Sequence, residues 1–150
     1  MQYITYYNKG GTIMDIHNMK CVMIFDENLP LGVIANAAAI MGASLGKQEP
    51  EVVGIPPVDQ DGNQHSGLIQ FPVPILKSKA SSIQEIRNKA LETELDIIDF
   101  TDIAQKSMTY EDFLNNYKNT SPDTIEYLGL TLCGPKKIIN KLTGSLSLLR

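Results

Sequence analysis

The chain has 150 residues, 43% of them hydrophobic and 20% charged, and a net charge of −4. That length suits one domain with a real core, and the acidic balance argues against a DNA partner and against general RNA binding. No window stays apolar for the ~20 residues a bilayer demands, no basic region followed by an apolar run opens the chain, and Cys21 and Cys133 are too few for a disulfide framework. A cytoplasmic protein with reduced, inert core thiols and no membrane attachment is expected.

Residues 1–18 (MQYITYYNKGGTIMDIHN) read as an N-terminal extension, and the periodic core pattern, hence the domain, occupies residues 19–150. Codons for Lys9-Gly10-Gly11 can spell a purine-rich ribosome-binding sequence at a suitable distance before Met14. Translation is therefore expected to start natively at Met14. In the rival reading, Tyr3, Tyr6 and Tyr7 dock on the domain as an edge strand.

Residues 20–26 (KCVMIFD) form a short apolar run with a polar stop, which predicts a first buried strand. Residues 29–46 (LPLGVIANAAAIMGASLG) read as one helix, apolar all round, with Pro30 in its first turn and Gly46 as its stop. A helix without a polar stripe is buried on several sides. Its one large polar residue is Asn36. An unsatisfied buried amide costs about 1–3 kcal/mol, so Asn36 marks either a structural hydrogen bond or a ligand contact.

Asp61-Gly62 predicts a hairpin turn between Val58 and Leu68. Residues 67–78 read as extended, and Pro72 and Pro74 place them at a sheet edge or outside a central ladder. Ser82-x-x-Glu85 is a capping box, and Ile83, Ile86, Ala90, Leu91 and Leu95 follow at helical spacing. Residues 95–100 predict a second buried strand, and residues 102–106 a short helix. Thr109 caps a helix to about Tyr117, with Phe113, Leu114 and Tyr117 facing inward. Residues 125–132 (IEYLGLTL) predict a central strand. Gly134-Pro135 opens a last helix over residues 136–142, Gly144 ends it, and the apolar tail 145–150 packs on the domain. Strands alternating with helices define an α/β single domain.

His65 is the only histidine of the domain proper, and with Asp59 and Gly62 it forms D-x-x-G-x-x-H-x-G. An imidazole beside a carboxylate can act as a general base. The same residues can instead satisfy the amides of a turn. One histidine and two aspartates are too few for a metal site, and no motif calls for a cofactor. Gln105 and Tyr110 follow the second strand, at the end where open α/β sheets hold ligands. Lys136, Lys137, Lys141 and Arg150 form a basic patch without an acid in residues 134–150. It reads as a solvated face or as a contact, through Lys137, for phosphate or carboxylate.

The motifs converge on a resemblance. Residues 126–150 (EYLGLTLCGPKKIINKLTGSLSLLR) resemble the C-terminus of type II peptidyl-tRNA hydrolases, and residues 20–46 match their opening strand and helix in layout. The block at residues 59–76 (DQDGNQHSGLIQFPVPIL) instead resembles an uncharacterised sister family, domain of unknown function two thousand, which shares that fold. The resemblance implies a compact α/β domain with a mixed four-stranded sheet flanked by helices, forming a homodimer. Activity does not follow from fold. Gly32 matches the glycine that opens the hydrolase helix, but Val33 stands at its lysine, Ala37 near its glutamine and Ile40 near its histidine. The hydrolases' Asp-Ala-Gly is only echoed by Asp102-Ile103-Ala104. A valine supplies neither the charge nor the donors of lysine.

Three functions follow as expectations. The first is a small-molecule-binding or hydrolase-like domain whose pocket joins Asn36, the Asp59–His65 loop and the Gln105–Tyr110 segment. The second is a hydrolase for a peptidyl-tRNA-like or amide substrate, with His65 as base and Asp59 beside it. The third is a non-enzymatic dimeric assembly module.

Overall fold

The computed structural model describes residues 6–9 and 11–150. Its layering follows from the strand β3 (Met19–Asp26). Met19, Cys21, Met23 and Phe25 point to one face, while Val22 and Ile24 point to the other. Successive side chains of a strand alternate between faces, so an apolar run of this kind must be covered on both sides. The strand β6 (Tyr127–Pro135) repeats the pattern, with Leu130 and Leu132 on one face and Cys133 on the other.

The helices supply the covers. On one side α2 (Ala80–Ala90) and α5 (Lys136–Thr143) pack through Ile83, Ile86, Ala90 and Ile139 on Val22, Ile24, Leu130 and Leu132. On the other, α1 (Leu31–Gln48) sets Ile34, Ala37 and Met41 on Met23, Phe25 and Phe100, and Leu45 beside Cys21 and Cys133. Two further strands of the sheet are β4 (Ile75–Ser78) and β5 (Asp96–Thr101). Two short helices, α3 (Asp102–Lys106) and α4 (Tyr110–Lys118), follow β5.

The main sheet is mixed and five-stranded, in the order β5-β6-β3-β4-β7. Only β3 and β4 run parallel, with Met23 opposite Ile75. The expected four strands are corrected by the tail: β7 (Ser147–Leu148) pairs antiparallel with Leu76 and Lys77 of β4, and Leu149 N donates to the Ile75 carbonyl at 2.9 Å. Two residues are too few to show as a strand in periodicity, but β4's open edge offers backbone groups that seek partners. The same pairing makes β4 internal. Pro72 and Pro74 therefore stand just outside the ladder, the second of the two expected placements, on the approach to an inner strand, and the Pro74 carbonyl accepts from Met23 N at 3.1 Å.

The N-terminal β1 (Tyr6–Lys9) and β2 (Thr12–Asp15) form their own antiparallel hairpin. They do not join the main sheet as an edge strand, and Tyr3 lies outside the described residues. In α4 the expected cap is present: Thr109 and Asp112 form a reciprocal capping box. Phe113 and Tyr117 are half-buried, whereas Leu114, expected inward, is exposed. The Ser82–Glu85 box is not formed, because α2 starts three residues earlier than such a box requires and Lys79 is its N-cap without a side-chain bond.

The largest correction concerns α1. It buries one stripe, not several: Ala35, Asn36, Ala39, Ile40 and Ala43 face outward. An outer-layer helix has a sheet on one side only, and exposed alanines cost little. The helix also runs past Gly46 to Gln48 and ends at Glu49, so Gly46 is interior rather than a stop. No described helix is long and apolar enough to cross a membrane.

Candidate functional site

Between the short turn Pro50–Val52 and β4 the chain leaves the sheet as a hairpin-like arm, residues 53–69. Val53 bridges Ile69 at its base and Val58 bridges Gln64 near its tip. Between them Gly54 N donates to the Leu68 carbonyl at 2.8 Å, and His65 N to the Pro57 carbonyl at 2.9 Å. The legs nearly touch at the base, because a Cβ on Gly67 would lie 2.0 Å from the Gly54 carbonyl oxygen. Residues 55–66 are all exposed.

Asp59 organises the tip. Its carboxylate accepts from Asp61 N at 3.0 Å, Asn63 N at 2.8 Å and Asn63 Nδ2 at 3.0 Å, and meets His65 Nε2 at 3.1 Å. These donors favour the charged form. The Asn63 side chain and amide, followed by His65, hold its carboxyl below the ordinary aspartate range. Gly62 takes φ +87°, and its N donates to the Asp59 carbonyl at 3.1 Å. Asp61 does not share a positive φ, so the turn is a wider loop closed by a left-handed glycine rather than a tight Asp-Gly pair. The predicted Asp59–His65 contact is thus formed, and both side chains stand in solvent, 35% and 60% exposed.

The other four predicted site residues lie on separate elements. Asn36 is exposed on the outer side of α1, Gln105 is exposed on α3, and Tyr110 opens α4 at 74% exposure. Lys137 is in the first turn of α5, where it lines a surface cleft with Asn18, Pro135, Lys136 and Asn140. Lys20 Nζ donates to Asn140 Oδ1 at 2.8 Å beside it. The expected pocket of Asn36, the Asp59–His65 loop and the Gln105–Tyr110 segment does not coincide with the apolar cavity described next, since none of those residues lines it.

That cavity, of about 390 Å³, lies under the base of the arm. Met23 and Ile75, opposed on the parallel strands, form its floor. Ala38, Gly42 and Gly46 of α1 form one wall, and Val53, Gly67 and Leu68 of the arm another. Every lining residue is apolar or glycine. It falls within the range of small-molecule pockets, and it has no side chain that can hold a proton or a metal. Its chemistry is exclusion of water from hydrocarbon. Sequence reasoning missed it because the lining residues read as core, and Gly46 read as a helix stop. The legible signal was three small residues four apart in one helix.

These features define an α/β protein with a five-stranded mixed sheet between helical layers, an exposed arm and an apolar cavity. Residues 19–150 match the family described as "Protein of unknown function (DUF2000)", and the chain belongs to that family. The structure is similar to that of a protein of unknown function from Agrobacterium tumefaciens, with a TM-score of 0.78 at 21% identity, covering 87% of this chain and 97% of that one. At that identity the likeness shows a shared fold. No curated protein matches the chain in sequence.

Proposed function

We propose that this protein binds a small molecule through the apolar cavity beneath the arm, and that it does not perform peptidyl-tRNA hydrolysis. The cavity carries the reading: about 390 Å³ of apolar-lined space, partly open to solvent beneath the arm, is a concavity in which an apolar group can leave water. The resemblance of residues 20–46 and 126–150 to type II peptidyl-tRNA hydrolases supports a hydrolase-like layout, while Val33, in the first turn of α1, stands where those enzymes carry lysine.

A second reading is favoured by the His65–Asp59 contact at 3.1 Å. With Nε2–H donated to Asp59, the Nδ1 lone pair faces outward and can take a proton from water attacking an amide or ester. The pair stands on an open arm, where neither water exclusion nor an oxyanion donor assists it.

Two measurements separate the readings. Thermal-shift screening of a metabolite set should find a ligand that raises the melting temperature, with the logarithm of its concentration once above its Kd. A cleavage assay on peptidyl-tRNA should show no turnover. Turnover abolished by His65→Ala would install the second reading and remove the first.

A further inference from the structure

Cys21 and Cys133 are far apart in the sequence, and each alone reads as a core thiol. The sheet register sets them directly opposite one another on β3 and β6. Peptide groups along a strand point alternately to its two sides, and Met23 N donates to the Pro74 carbonyl on the β4 side. Cys21, two residues earlier, therefore also turns its peptide groups away from β6. The two cysteines are thus a non-hydrogen-bonded pair of the antiparallel ladder. In such pairs the Cα atoms approach to about 4.5 Å and the side chains stand close together. That spacing falls at the short end of the ~4.4–6.8 Å that a disulfide bridges. Both cysteines are fully buried, and neither is bonded to the other.

Asp96 of β5 is opposite Cys133 on its other side. A carboxylate only 6% exposed therefore shares the face of both sulfurs, held by Gln48 Nε2, which donates to Oδ1 at 3.4 Å. The neighbouring Cys133 thiol, burial and the Asp96 charge hold the Cys21 thiol far above its ordinary range, so Cys21 rests protonated. Leu45 and Val52 pack with the two cysteines and also line the apolar cavity. The sulfurs thus lie behind the cavity wall, whatever the cavity binds.

We propose that Cys21 and Cys133 form a modification site: a dithiol that hydrogen peroxide closes to a disulfide between the two central strands, with Asp96 as proton acceptor. An uncharged oxidant about as small as water can pass a hydrocarbon wall that stops bulky or charged reagents. Cys133 gives its proton to Asp96 as its sulfur attacks one peroxide oxygen. The S–O bond forms, the O–O bond breaks, and the departing hydroxide takes the proton from Asp96 and leaves as water. Cys133 is now a sulfenic acid. The Cys21 sulfur attacks it, the S–S bond forms and the S–O bond breaks, and hydroxide leaves with the Cys21 proton as a second water. Two electrons pass from the thiols to the peroxide, and the Asp96 carboxylate is restored.

The test exposes the reduced full chain to hydrogen peroxide, then unfolds it, alkylates the remaining thiols and maps its peptides by mass spectrometry. The wild type is expected to lose both alkylatable thiols, to yield a Cys21–Cys133 linked peptide within one chain, and to recover both thiols with dithiothreitol. Cys21→Ala has no partner for the sulfenic acid, so its Cys133 should gain oxygen instead. Asp96→Asn should reach the same linked product about ten-fold more slowly, with hydrogen exchange at the Cys21 and Cys133 amides unchanged. Thiols that stay alkylatable in the wild type, under peroxide that consumes free cysteine, overturn the proposal. So does oxygenation of both sulfurs without a link, or a link found only between chains. Equal closure rates in Asp96→Asn, or slower closure with altered exchange, overturn the part given to the carboxylate and leave the dithiol standing.

Discussion

Asp59 shows how one exposed carboxylate can order a segment with no core of its own. Three donors from Asp61 and Asn63, together with His65, converge on it. The lowered pKa that results has a definite sign. A carboxyl whose folded value lies below its unfolded one stabilises at pH above the unfolded value, and that contribution is lost as pH falls through the folded value. The Asn63 amide resonance should therefore titrate with a midpoint below that of a free aspartate. A midpoint at or above the free value would show that the tip bonds do not hold the charged form. Asp59→Ala should speed hydrogen exchange at Asp61 and Asn63 while leaving global stability almost unchanged, as surface changes do. The Asp59–His65 pairing was legible in the sequence because a turn brings residues six apart together. Its exposure was not, since nothing local says whether an arm folds back on the domain.

Among the elements, α1 and α2 were read from the same periodicity with different success. The apolar face of α2 stood out because polar residues mark its other side, and Ile83, Ile86 and Ala90 are buried as that pattern requires. In α1, alanine and glycine occupy both the inner and the outer sides, so the pattern did not tell which side met the sheet. Asn36, read as either a buried structural hydrogen bond or a ligand contact, stands in solvent. Capping failed for α2 in a way that can be repaired. Lys79 has the extended backbone of an N-cap, at φ −76° and ψ 147°, but no oxygen to offer the first-turn amides. Lys79→Asp should stabilise the protein by about 0.5–1 kcal/mol in chemical denaturation, from the cap bond and the favourable charge at a helix start. No gain would mean that the first turn is already satisfied from elsewhere.

For the whole molecule, closure of the sheet depends on its last residues. β7 covers the outer edge of β4, the strand that also carries Ile75 into the cavity floor. Removing residues 147–150 should expose that edge, accelerate exchange at Lys77, whose amide faces β7, and raise aggregation, as an uncovered edge recruits other strands. Unchanged exchange at Lys77 would show that β4 is held by β3 alone.

The sequence by itself determined the α/β class and the order along the chain of β3, β5, β6 and the five helices, because apolar runs and helical spacing are local, and its motifs at residues 59–76 pointed to the family. Only the tertiary structure decided the fifth strand, the outward face of α1 and the cavity. Each of these depends on where residues distant in the chain come to rest. A two-residue strand exists only if an edge awaits it. A glycine is a stop, a close contact or an open space according to what lies 4.0 Å away, and that distance is set by the fold as a whole.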